Sequence, residues 1–91
     1  MRSIRQIEDA MLRISDELEK MDIKKLNAKQ RIKFNALKRD VQGGIESLLH
    51  FKEGLTHIDT PSKQERAHEA LNIHQHHLEH FQSELEQLKI D

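Results

Sequence analysis

The feature that most constrains this chain is a repeat of apolar residues spaced alternately three and four positions apart. In the N-terminal segment the repeat consists of Ile4, Ile7, Met11, Ile14, Leu18 and Met21. Because an α-helix completes one turn in about 3.6 residues, this spacing places all six side chains on one face of a helix. We therefore predict a first helix over residues 3–24.

Two further segments carry the same repeat. The second consists of Phe34, Leu37, Val41, Gly44, Leu48 and Phe51. The third consists of Ala67, Leu71, His74, Leu78, Phe81, Leu85 and Leu88. By the same reasoning these segments predict a second helix over residues 28–53 and a third over residues 61–89.

Local signals mark where these helices begin and end. Asn27 and Gln30 form the sequence of a capping box, in which each side chain binds a backbone amide of the other residue. Thr60 is a favourable N-cap, and Pro61 follows at the first helical position, where a missing amide hydrogen leaves no bond unmade. Gly54 predicts the end of the second helix through a left-handed backbone conformation.

A pair of glycines, Gly43 and Gly44, lies in the middle of the predicted second helix. Each glycine costs about 1 kcal/mol relative to alanine in a helix interior. Three interpretations remain open: the helix breaks into 28–42 and 45–53, a neighbouring backbone approaches closely, or a partner docks on a bare patch.

Amphipathic helices joined by short connections favour antiparallel packing. At 91 residues the chain has the length of a single domain, residues 1–91. Its charged residues, 34%, nearly equal its hydrophobic residues, 35%, as expected for thin helices with one apolar face each. The predicted fold class is therefore all-α, an antiparallel three-helix bundle with up-down-up topology.

Composition argues against several functions. The chain has no cysteine, which excludes disulfides and cysteine nucleophiles and favours a cytoplasmic protein. The longest apolar run, Ala10-Met11-Leu12, is too short to cross a membrane. No glycine-rich phosphate loop or nucleophile motif is present. We expect no enzyme, no catalytic residue, no cofactor and no small-molecule substrate.

One segment is strongly basic. Residues 24–39 contain no acidic residue and seven basic ones, namely Lys24, Lys25, Lys29, Arg31, Lys33, Lys38 and Arg39. Such a stretch can bind phosphates, so a nucleic-acid-binding protein is an alternative function. Phe34 is its only aromatic residue, and the predicted topology brings acidic residues of the other helices nearby. The favoured interpretation is therefore a solvated surface whose positive charges are balanced by acidic residues of the same chain.

Histidines cluster between His68 and His80, and two of them have metal-ligand spacing. His76 and His80 lie four positions apart, so one divalent metal could bind both if a third ligand were supplied. His74 falls within the apolar repeat, where burial should lower its pKa below the ordinary value of about 6.5. The cluster offers a second alternative, a metal- or pH-responsive protein.

Several apolar residues flank the three repeats, Leu12, Ile23, Leu49 and Ile73 among them. They widen the apolar faces beyond what one shared core can bury. The leading hypothesis is a non-enzymatic protein-interaction module that binds another protein or a second copy of itself. The candidate partner-binding residues are Gly43, Gly44, Leu49, Ile73 and His74.

Overall fold

A computed structural model describes residues 3–57 and 60–90 of the chain. The described residues form three α-helices, α1 (Ile4–Lys20), α2 (Ala28–Gly54) and α3 (Pro61–Ile90). Single turns of 3-10 helix follow α1 at Ile23–Lys25 and α2 at Leu55–His57. No β-strand occurs in these ranges, and the predicted all-α class is confirmed.

The three helices pack against one another in pairs, as predicted. Gly44 lies against Phe81, whereas the later Phe51 lies against the earlier His74, so α2 and α3 run antiparallel. The α1 helix also contacts both of the others. The three-helix bundle is therefore confirmed.

The predicted apolar repeats form the core. Its buried members are Ile7, Met11, Ile14, Leu18, Phe34, Leu37, Val41, Leu48, Leu78, Phe81, Leu85 and Leu88. Ile7, Val41 and Leu78 have no exposed surface at all, so the apolar faces of the three helices meet at one axis. His74, which the repeat placed inside this core, is buried as well.

The first helix is shorter than predicted, because it ends at Lys20 and not near residue 24. Met21 takes an extended backbone conformation, and the Asp22 carboxylate accepts a hydrogen bond of 3.0 Å from the Lys24 amide. An aspartate side chain that binds a nearby amide favours a turn over a continuing helix. Asp22 therefore begins the 3-10 turn in place of a further turn of α1.

The helix starts agree with the sequence, but the backbone conformation predicted at the end of α2 does not. The Asn27 and Gln30 side chains each accept a hydrogen bond from the other residue's backbone amide, and the Thr60 hydroxyl accepts one from the Lys63 amide. The predicted left-handed stop at Gly54 is wrong, since no described glycine has a positive φ. A right-handed 3-10 turn continues directly from α2, so the chain needs no left-handed residue at this point.

The two central glycines do not break α2, which is continuous from Ala28 to Gly54. A Cβ atom added to Gly44 would lie only 2.8 Å from Cε2 of Phe81, so the close-approach interpretation holds there, with a side chain as the neighbour. A Cβ atom added to Gly43 would meet no atom within 4 Å. Gly44 is thus part of the packing, whereas Gly43 faces open space.

The three helices differ in length, and this divides the molecule in two. The 17 residues of α1 span about 26 Å, against about 45 Å for the 30 residues of α3. Lys89 Nζ lies 3.0 Å from a carboxylate oxygen of Glu17, so α1 and α3 are parallel and end together. The first turn of α1 is then level with about residue 76 of α3. We call residues 49–56 and 60–73, which lie alongside the start of α1 and beyond it, the two-helix arm.

Candidate functional site

Two cavities lie between α2 and α3, and neither is lined by a residue of α1. Each has a volume of about 340 Å³. The arm cavity is lined by Phe51, Gly54, Leu55, Lys63, Arg66, Ala67 and Ala70. The central cavity is lined by Arg39, Asp40, Gly43, Gly44, Ser47, His77 and Phe81. We refer to the two cavities and the surface between them as the α2–α3 groove.

Ile73 lies on α3 between residues that line the two cavities, although it lines neither itself. It lies three residues after Ala70 and four residues before His77, so all three residues share one face of α3. Its side chain is 54% exposed, although isoleucine is among the residues most often found inside proteins. The groove therefore presents a large apolar side chain to solvent between its two depressions.

The arm cavity exists because α1 does not reach this part of the molecule. Among the described residues of the two-helix arm no side chain is fully buried, and Phe51, Leu55, Ala67 and Ala70 are only half-buried. Two of the four are alanines, which leave space where the later part of α3 carries leucine and phenylalanine. The result is an apolar floor that no third helix covers.

The central cavity combines a bare backbone with aromatic rings. Gly43 leaves its part of α2 without a side chain, and Phe81 packs onto Gly44 from α3. The His77 ring lies 6.4 Å from the Phe81 ring and 6.1 Å from the His74 ring, measured between ring centroids. The His77 and Phe81 rings of α3 therefore form one wall of the groove.

His74 lies beneath this wall and not on its surface. Its side chain is 8% exposed, and its ring centroid lies 5.2 Å from that of Phe51. Burial lowers the pKa of His74, and the nearby His77 lowers it further, in the predicted direction. Nδ1 of His74 has no hydrogen-bond partner among the described residues, an unusual state for a buried polar atom.

Four of the five candidate partner-binding residues come together at the groove. Gly43 and Gly44 line it, Ile73 rises between its cavities, and His74 lies beneath its wall. Leu49 is 45% exposed and lies elsewhere. It precedes Lys52 by three residues, and the Lys52 ammonium bonds the Glu8 carboxylate at 3.1 Å, so this face of α2 points towards α1.

Among the described residues, the histidine pair considered as a metal site has no third ligand beside it. The His76 side chain is 78% exposed, and its Nδ1 lies 3.7 Å from a carboxylate oxygen of Glu79. The His80 ring lies beside Phe81, with centroids 6.2 Å apart. In the described part of the chain, no three histidine, aspartate or glutamate residues are grouped closely enough to hold a metal ion.

The basic stretch 24–39 lies at the opposite end of the molecule from the arm. Its Arg31 guanidinium donates a hydrogen bond of 3.3 Å to the backbone carbonyl of Ile23, which ties the 3-10 turn to α2. Lys24 and Lys25 of that turn are exposed. Nucleic-acid binding by this stretch stays a hypothesis.

The arm cavity and its residues Leu55, Lys63, Arg66 and Ala70 were not predicted from the sequence. The feature that indicates this cavity is the difference in length between the helices. The prediction that the first helix continues to residue 24 made this difference smaller than it is. Recognising Asp22 as a turn-forming residue would have shortened the first helix. The uncovered start of α3 would then have followed from the helix lengths.

Comparisons of the chain with protein-family models, with curated proteins and with solved structures find no match. Within residues 3–57 and 60–90, no helix has the length and apolar character that a membrane crossing requires. Any assignment of function therefore depends on the geometry of the described residues.

Proposed function

We propose that this chain is a non-enzymatic protein-interaction module that docks a helix of a partner protein in the α2–α3 groove. The observation that carries the proposal is the exposure of Ile73 between two cavities. Fully burying an isoleucine side chain contributes about 1.5–3 kcal/mol. Ile73 is 54% exposed, so covering the remainder contributes roughly half of that and is favourable. A chain without cysteine suits the cytoplasm, where we place the interaction.

A helix is the partner element that fits the groove best. From Ala67 in the arm cavity to His77 in the central cavity, α3 advances by about 15 Å. An amphipathic helix repeats its apolar residues at positions i, i+4, i+7 and i+11, which spans about the same distance. Such a helix would place one apolar side chain in each cavity and others against Ile73.

Gly43 favours the same interpretation. The bare backbone at this position allows a partner helix to approach α2 more closely than any side chain would permit. The glycine contributes nothing to the packing of the bundle and lowers the stability of α2 by about 1 kcal/mol relative to alanine. Docking of a partner helix would explain why glycine occupies this position.

The proposal can be tested by comparing two exposed isoleucines. Ile73→Asp changes the groove, and Ile32→Asp is the matched control, since Ile32 is 71% exposed and lies in the basic stretch 24–39, far from the residues that flank Ile73 on α3. Both variants should keep the helical circular dichroism of the parent. We expect a protein of the native host to co-purify with the parent and with Ile32→Asp but not with Ile73→Asp. In a titration, the purified partner should bind the parent and Ile32→Asp more tightly than Ile73→Asp.

Two outcomes would contradict the proposal. If Ile73→Asp binds the purified partner as tightly as the parent does, the groove is not the docking site. If light scattering shows a dimer that Ile73→Asp abolishes and Ile32→Asp retains, the groove binds a second copy of the chain and not a helix of another protein.

A further inference from the structure

We infer that the helix received by the arm cavity is acidic, with one large apolar side chain flanked by carboxylates. This inference rests on the proposed function, because it specifies the chemistry of the helix that the groove docks. Its basis is the combination of an apolar floor with two basic residues, Lys63 and Arg66, and no acidic residue among the described residues that line the cavity.

The floor of the arm cavity selects a large apolar side chain. Phe51 and Leu55 supply it from the α2 side, and Ala67 and Ala70 supply it from α3. The volume of about 340 Å³ falls at the lower end of the range for small-molecule pockets, about 300–1,000 Å³. It is ample for one leucine, phenylalanine or tryptophan side chain from a helix lying across it.

The rim selects negative charge. Lys63 and Arg66 line the cavity, and none of the described residues lining it is acidic. Arg66 takes part in none of the salt bridges within the described ranges. A guanidinium presents a planar set of donors that binds a carboxylate through two parallel hydrogen bonds. A glutamate one turn away from the apolar anchor would therefore reach Arg66 while the anchor occupies the floor.

A set of synthetic helices provides the test. Each peptide has about 14 residues, or four turns, with the same apolar face carrying one tryptophan, and its flanking positions are all glutamate, all glutamine or all lysine. The full chain contains no tryptophan or tyrosine, so peptide fluorescence reports burial of the anchor without interference. We expect the glutamate peptide to bind about tenfold more tightly than the glutamine peptide at low salt, and the lysine peptide to bind most weakly.

Charge reversal on the protein gives the matched comparison. Arg66→Glu should invert the order of the glutamate and lysine peptides, whereas Arg13→Glu, on α1 and outside the groove, should leave the order unchanged. Added salt should reduce the preference for glutamate because the rim is open to solvent.

The remaining outcomes separate this inference from the proposed function. If the three peptides bind equally well and Ile73→Asp weakens all of them, the acidic preference is wrong and helix docking stands. If no peptide binds the parent protein, the inference is overturned, and the co-purification comparison of Ile73→Asp with Ile32→Asp decides the docking function by itself.

Discussion

The two halves of α3 follow the same sequence rule and reach different degrees of burial. Ala67 and Leu71 occupy the same repeat as Leu78 and Leu85, yet the first two are only half-buried and the last two are buried. The difference arises from the number of neighbouring helices. The later half packs against both α1 and α2, whereas the earlier half has α2 alone beside it.

This contrast shows that an apolar repeat sets the direction of side chains but not the extent of their burial. Stabilisation follows the apolar area removed from water, at about 25 cal/mol per Å². The three-helix part of the molecule therefore holds most of the folding free energy. The two-helix arm retains apolar surface that folding leaves exposed, and this surface is what a partner could cover.

The largest test of the contrast compares the same truncation in both halves of α3. Leu78→Ala removes a completely buried side chain and should lower the free energy of unfolding by about 2–5 kcal/mol. Leu71→Ala, in the arm, should lower it by about 1 kcal/mol, because the residual cavity opens to solvent. Urea unfolding followed by circular dichroism measures both values. Equal losses would show that the arm is packed as tightly as the core.

A second test compares the two adjacent glycines. Gly44→Ala should lower the free energy of unfolding by about 1–2 kcal/mol net. Its Cβ would displace the buried Phe81 ring, and the free energy lost in this way exceeds the gain from the better helix propensity of alanine. Gly43→Ala should raise it by up to about 1 kcal/mol, since its Cβ enters open space. The same substitution, glycine to alanine, would then have opposite effects on stability at two adjacent positions of α2. A gain from both substitutions would mean that Phe81 moves freely.

Much of the architecture was predictable from the residues. The apolar repeats identified the three helices and core residues such as Ile7, Val41 and Leu78 because helical periodicity alone determines which side chains face inward. The starts at Asn27 and Thr60 were predictable too, since each depends on side chains only a few positions apart.

What could not be predicted depends on competition between local and tertiary interactions. The end of α1 depended on Asp22 binding the Lys24 amide in preference to another helical turn. The different environments of Gly43 and Gly44 depended on where Phe81 arrives from α3, which sequence spacing does not specify. The arm cavity depended on the relative lengths of all three helices, so it followed only from their assembly.

A third test concerns His74, which lies near the boundary of the two halves. His74→Leu removes a buried polar atom without a partner and should raise the free energy of unfolding by about 1 kcal/mol near neutral pH. The lowered pKa of His74 means that the unfolded chain takes up the proton first as pH falls. The parent should therefore be stable above about pH 7 and lose stability as pH falls through about 6.5.

The variant and its control isolate the contribution of His74 to this pH dependence. The stability difference between His74→Leu and the parent should widen on acidification, because the leucine cannot take up a proton. His76→Gln replaces an exposed imidazole and leaves His74 in place, so the loss of stability attributed to His74 should persist in it. Thermal unfolding at several pH values gives the comparison. If His74→Leu follows the parent at every pH, another group causes the loss of stability.

The smallest expected effect concerns the ion pair at the junction of α1 and the arm. Lys52 extends from the arm to Glu8 of α1, and their side chains are 46% and 18% exposed. A double-mutant cycle with Lys52→Met and Glu8→Gln should give a coupling energy of about 0.2–1 kcal/mol, because solvent screens the pair. The pair between Lys20 and Asp16, more exposed and within α1 alone, should couple less strongly. If both couplings are equal, the Lys52–Glu8 pair contributes no more to joining the two halves than a pair within one helix does.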